Sequence, residues 1–151
     1  MEKKDINFLE KLLYKTDKSC VISQLANINN SLLLHYFAAN YNWNNGFDIP
    51  TVILENENCD LGTGLLMFYF SDGYRMLENP DEFSSSSLKE WKAFLNKIYN
   101  KLINFEFKYQ NISFNPGLTK IQKYKLKKNH PDIPDILISK SPGEVVDISK
   151  I

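Results

Sequence analysis

The sequence predicts a mainly α-helical domain, a compact bundle of five or six short helices, and three observations carry that prediction. Apolar residues recur at steps of three and four, most clearly in Leu88, Trp91, Leu95, Ile98 and Leu102. Capping residues such as Asp60 and Ser87 stand just ahead of apolar stretches, and asparagine-rich breaks such as Asn56-Glu57-Asn58 separate them. Of 151 residues, 43% are hydrophobic and 13% aromatic, which is ample surface for one core and excludes a chain disordered throughout.

The elements follow in order. Ile6, Leu9, Leu12 and Leu13, with Lys4, Glu10, Lys11 and Lys15 between them, make a first amphipathic helix. Val21, Ile22, Leu25 and Ile28 form a second periodic stretch that ends at Asn29-Asn30. Ser31 then stands as the N-cap of a third helix over 32–40, apolar nearly all round and therefore central. Asn40 to Gly46 is a loop, because its asparagines compete for backbone bonds and Asn45-Gly46 favours positive φ; asparagine side chains are expected to cap helix ends there. Asp48 ahead of Pro50 caps a short helix from Thr51 to about Glu55. Asp60 caps the next, with Leu61, Leu65, Phe68 and Tyr69 inward and with Gly62 and Gly64 implying close packing.

Ser87 and Glu90 read as a capping box opening the clearest helix, 88–103. Alternation of Phe105, Phe107 and Tyr109 leaves room for a small β-hairpin near 105–114. Leu118 to His130 holds five lysines and no acid, and reads either as a helix on Leu118, Ile121 and Tyr124 or as an irregular arm. Pro131, Pro134, Pro142 and Gly143 give an irregular C-terminal tail, with at most a short helix around 134–138. The whole reads as a single domain, 1–151.

Composition narrows the function classes. No secretory signal is visible in the first residues and none is expected, and the longest apolar run, Leu65 to Phe70, falls far short of the roughly 20 residues of a membrane helix. A cytoplasmic protein with no membrane partner is expected, and no motif calls for a metal or cofactor. Cys20 and Cys59 have no metal or redox spacing and are expected as free, buried thiols. Eighteen basic residues balance eighteen acidic ones, but unevenly: 1–82 carries six basic against twelve acidic, net −6, and 83–151 carries the reverse. Between 31 and 82 Arg75 stands alone against eight acids.

Several residues have the chemistry of a site, and each has a plainer reading. His35 on its apolar helix could serve a small hydrolase or nuclease-like enzyme as general base, oriented by Asp48 or Asp60, provided it lines an open pocket. A buried His35 bonded to a neighbour is the plainer reading. Cys59 at a helix start has the position of an activated thiolate, yet no nucleophile elbow, P-loop or His-Glu-x-x-His accompanies it. Asp48, Glu55, Glu57 and Asp60 offer oxygen ligands without the alternation of a calcium loop, and read as a solvated acidic face. Lys120, Lys123, Lys125, Lys127 and Lys128 with Tyr124 would contact nucleic acid only as one lysine face with Tyr124 exposed; a solvated lysine surface is the plainer reading.

The stretch Leu34-His35-Tyr36-Phe37-Ala38-Ala39-Asn40-Tyr41-Asn42-Trp43-Asn44-Asn45-Gly46-Phe47-Asp48-Ile49-Pro50, followed by Asn58-Cys59-Asp60-Leu61-Gly62-Thr63-Gly64-Leu65, resembles the signature of an uncharacterised bacterial domain family known as a domain of unknown function. The resemblance covers roughly 31–80 and implies no reaction. It implies similarity to short bacterial domains suspected of serving as cytosolic immunity proteins beside polymorphic or contact-dependent toxins. A non-catalytic protein-binding module is therefore expected, a toxin inhibitor whose acidic face covers the basic groove of a nuclease-type partner. Asp48, Glu55, Glu57 and Asp60 are the expected contacts, with Trp43 as anchor unless it pins its loop to the core.

Overall fold

Helices form where the periodicity places them, the basic stretch left open between helix and arm is a helix, and two more form where the periodicity is too short to read. The computed structural model describes residues 1–150. Among these residues the helices are α1 (Lys3–Tyr14), α2 (Lys18–Ala26), α3 (Ser31–Asn40), α4 (Asp48–Glu55), α5 (Leu61–Phe70), α6 (Tyr74–Glu78), α7 (Pro80–Ser85), α8 (Lys89–Ile103) and α9 (Lys120–Asn129). The mainly α-helical class stands. α6 and α7 span barely a turn or two each, so neither repeats an apolar spacing long enough to be seen in advance.

Caps decide the boundaries. Asn30, one residue ahead of the expected Ser31, caps α3 by accepting from Leu32 N at 2.9 Å, while Ser31 Oγ donates to Asn58 O at 2.5 Å. Asp48 lies inside the first turn of α4 rather than before it, with Phe47 at the cap position. The Ser87–Glu90 box does not form: α8 starts at Lys89, and Ser86 Oγ accepts from Leu88 N at 3.2 Å. The preceding serines are drawn into α7, leaving the turn only 86–88. Asp60 caps α5 as its position requires, accepting from Gly62 N at 2.9 Å.

α5 is the axis of the molecule. Leu61 to Phe68 are buried without a break, so the helix must be touched on every side. α3 and α8 pack along it, α1 packs on α3, and α2 packs on α4. Two residues of its first turn carry no side chain because there is no room for one. A Cβ on Gly62 would overlap the Ile112 carbonyl, and one on Gly64 would overlap the Phe107 ring.

No hairpin forms at 105–114. Phe105 takes φ +55 and ends α8, its N–H donating to Leu102 O at 3.3 Å while Glu106 N reaches Lys101 O at 3.0 Å. The alternation at 105–109 is thereby spent on a helix stop rather than a strand. Instead β1 (Ile112–Ser113) pairs in parallel with β2 (Glu144–Val145), Ile112 opposite Glu144. A parallel pair needs a long crossover, which α9 and the proline-containing stretch supply. That stretch is irregular but anchored, with Leu137 and Ile138 in the core and Tyr69 Oη donating to Leu137 O at 2.6 Å.

Candidate functional site

The buried polar groups of the molecule serve its architecture. His35 is 1% exposed between α3 and α5, and a hydrogen bond of 2.9 Å joins its Nδ1 to Thr63 Oγ1. Burial lowers its pKa to about 4. Neither Asp48 nor Asp60 orients it, so the base-and-carboxylate arrangement is absent and the plainer reading holds. Cys59 is buried too, and burial pushes its thiol up to about 12 against the lowering field of Lys101. A buried neutral thiol is the opposite of an activated nucleophile. Cys20, expected inside, lies at the surface, where a hydrogen bond and the charge of Asp17 raise its pKa.

Asp60 leaves the set of surface contacts. It is 0% exposed, and besides capping α5 it accepts from Asn111 N at 2.7 Å and Ile112 N at 3.2 Å. The adjoining Leu61 N donates to Tyr109 O at 2.9 Å. One carboxyl group thus joins the start of α5 to the chain leading into β1. Three backbone N–H groups converge on it, which explains how a fully buried acid is tolerated.

Trp43 is pinned rather than presented. Its ring meets Tyr41 edge-on at 5.3 Å and Phe94 of α8 at 5.8 Å, and Phe47 packs in a tilted arrangement on the same Phe94 at 5.3 Å. Asn42 caps the 3-10 turn Trp43–Asn45, accepting from Asn44 N at 3.0 Å. Gly46 follows at φ +92 and ψ −169, a conformation nearly reserved for glycine. The capping expected of the loop therefore belongs to Asn42, while Asn44 and Asn45 face solvent.

Asp48, Glu55 and Glu57 are exposed as expected, at the two ends of α4. Lys18 Nζ reaches Asp48 Oδ2 at 2.6 Å, and Lys97 pairs with Glu55. Sequence reasoning missed the more developed surface nearby. Phe47, Asp72, Arg75, Leu88 and Trp91 line a groove of about 490 Å³, and a second hollow of about 330 Å³ shares Arg75, Leu88 and Trp91 and adds Glu78 and Glu82. Arg75 lies 5.3 Å over the Trp91 ring and is tied to Asp72 at 3.5 Å and Glu82 at 3.4 Å. Trp91 Nε1 donates to Ser71 O at 2.7 Å, and Leu88 at the mouth is 59% exposed. One signal pointed here, a single arginine set among acids.

At the other end of the charge distribution, α9 turns Leu126 inward and leaves Ile121 and Tyr124 exposed, the reverse of the face expected from Leu118, Ile121 and Tyr124. The described residues contain no group of three His, Cys, Asp or Glu side chains placed to hold a metal ion, and no helix long and apolar enough to cross a membrane. No curated protein and no solved structure matches the chain. Residues 29–103, from the approach to α3 through the end of α8, match the family model described as Domain of unknown function (DUF4274), the uncharacterised family to which this stretch is similar.

Proposed function

We propose that the protein is a non-catalytic binding module of the toxin-neutralising class, acting in the cytoplasm through the acidic side of its family-matched region. The observation that carries the proposal is the surface just described: seven of the eight carboxylates between 31 and 82 are exposed, and three of them, Asp72, Glu78 and Glu82, line the apolar groove and its adjoining hollow. Asp48 adjoins the groove through Phe47, Asp72 and Glu90 stand along it, and Glu82 stands in the adjoining hollow. Glu57, Glu78 and Asp81 have no basic partner within ion-pair distance among the described residues. Such a rim attracts a basic partner and speeds its approach, while the groove beside Leu88 and Trp91 accepts an apolar side chain once it arrives. The ion pairs of Asp48 and Glu55 are exposed, and exposed pairs contribute about 0–1 kcal/mol, so a partner's cations can replace Lys18 and Lys97 at little cost.

The test pairs the protein with the toxin encoded beside its gene. Association is expected to slow several-fold as salt rises, to slow further with Glu78→Lys and Asp81→Lys together, and to dissociate faster with Leu88→Ala. A gene neighbourhood without a toxin, or association indifferent to all three substitutions, overturns the proposal.

A further inference from the structure

α9 presents a face that no other part of the described chain covers. Its start is fixed by a capping box, Gln122 N donating to Thr119 Oγ1 at 3.1 Å and Thr119 N to Gln122 Oε1 at 2.8 Å. Its inner side is fixed by Leu126, 3% exposed, and by Lys127, whose ammonium reaches Asp135 at 2.6 Å and Ile133 O at 3.0 Å. The outer side carries Lys120, Lys125 and Lys128 around Ile121 and Tyr124, which are 67% and 65% exposed. None of these three lysines meets a carboxylate within ion-pair distance among the described residues. Lys128 lies 6.0 Å from the centre of the Tyr124 ring instead.

We propose that this face binds single-stranded nucleic acid, with the lysines on successive phosphates and Tyr124 as a platform for one base. Charge complementarity selects a polyanion: residues 83–151 carry twelve basic against six acidic groups, net +6, and α9 itself contains no acid. The exposed ring selects among polyanions. Every unstacked base offers a face to an aromatic side chain, and the ammonium beside the ring stands where the adjoining phosphate would lie. Duplex DNA holds its bases stacked away from such a ring. An anionic membrane needs a continuous apolar face to bury, and here the stripe of Ile121 and Tyr124 runs directly into Lys128. This surface lies outside the family-matched residues 29–103, and the proposal stands or falls independently of the acidic side.

The experiment titrates the whole protein into a fluorescein-labelled thymidine oligonucleotide of about 20 nucleotides and reads anisotropy at about 50 and 200 mM salt. Three phosphate contacts, at about 0.7 each, give a slope of about −2 in log affinity against log salt, a weakening of about 20-fold over that interval. Tyr124→Ala is expected to lose about tenfold with the slope unchanged. Charge reversal of Lys120, Lys125 and Lys128 to glutamate abolishes binding, whereas the same reversal of exposed Lys3 and Lys11 on α1 and Lys15 just after it leaves at least half of it. Absence of binding at the lower salt, equal loss from the two triple reversals, no effect of Tyr124→Ala, or tighter binding to phosphatidylserine vesicles than to the oligonucleotide each overturns the proposal. Circular dichroism checks each variant, and if the α9 triple reversal does not fold, Lys125→Gln alone replaces it with an expected loss of severalfold.

Discussion

His35 shows how a residue with catalytic chemistry becomes a structural one. Held neutral between α3 and α5, it has a pKa of about 4 in place of 6.5. The unfolded chain therefore takes up a proton that the folded protein refuses, and stability rises with pH through that interval. The full contribution is present above about pH 6.5 and is lost as the pH falls toward 4, about 2 kcal/mol of it by pH 5. Urea unfolding at pH 7.5 and pH 5 measures this, and His35→Gln is expected to remove that part of the difference. An identical pH slope in both proteins would show that His35 is not buried and neutral. Apolar neighbours Leu34 and Tyr36 made burial of His35 the plainer reading of the sequence, with an open pocket as the alternative that the structure removes. Its partner Thr63 was not legible, because a single polar residue in α5 has no periodic signature of its own.

Whole elements were legible in proportion to their length. α8 repeats its apolar spacing over four turns, and only its first residue is displaced. Its cap was misplaced because four consecutive serines each qualify, and the choice is made by α7, whose end takes two of them. α9 shows a different limit: with lysines at half its positions, spacing alone could not decide which of Ile121, Tyr124 and Leu126 faces inward, and contact with Asp135 and Ile133 decides it. The asparagine loop was legible as a loop, but its docking on α8 depends on Phe94, which belongs to another element. That docking gives the next prediction. Trp43→Ala removes three aromatic contacts and is expected to cost about 3 kcal/mol in chemical denaturation. Unchanged stability with lost partner binding would return Trp43 to the role of a recognition anchor.

At the scale of the molecule, the split of charge between 1–82 and 83–151 was visible in composition, whereas the joining of the two parts was not. Gly62 and Gly64 announced close packing without naming what packs, since Ile112 and Phe107 lie far along the chain. Asp60 was placed at the surface because acids usually are, and only the approach of Asn111 and Ile112 satisfies it inside. Asp60→Ala strands three N–H groups, those of Gly62 and Ile112 in buried hydrogen bonds and that of Asn111 in a half-buried one, and is expected to cost about 3 kcal/mol, with a lower melting temperature as the check. Loss within experimental error would show that the clasp is dispensable. The same clasp sets an order of events during synthesis. A chain emerges amino end first at about 5–20 residues per second, so α5 is exposed on the order of seconds before its closing segment exists. Until Asn111 and Ile112 arrive, one flank of the most apolar helix is open to water and to other nascent chains. Ile112 then waits again for Glu144. The core of α5 thus closes only once residues 111–144 have been made, and a ribosome stalled before residue 111 would display a sticky, unfinished core.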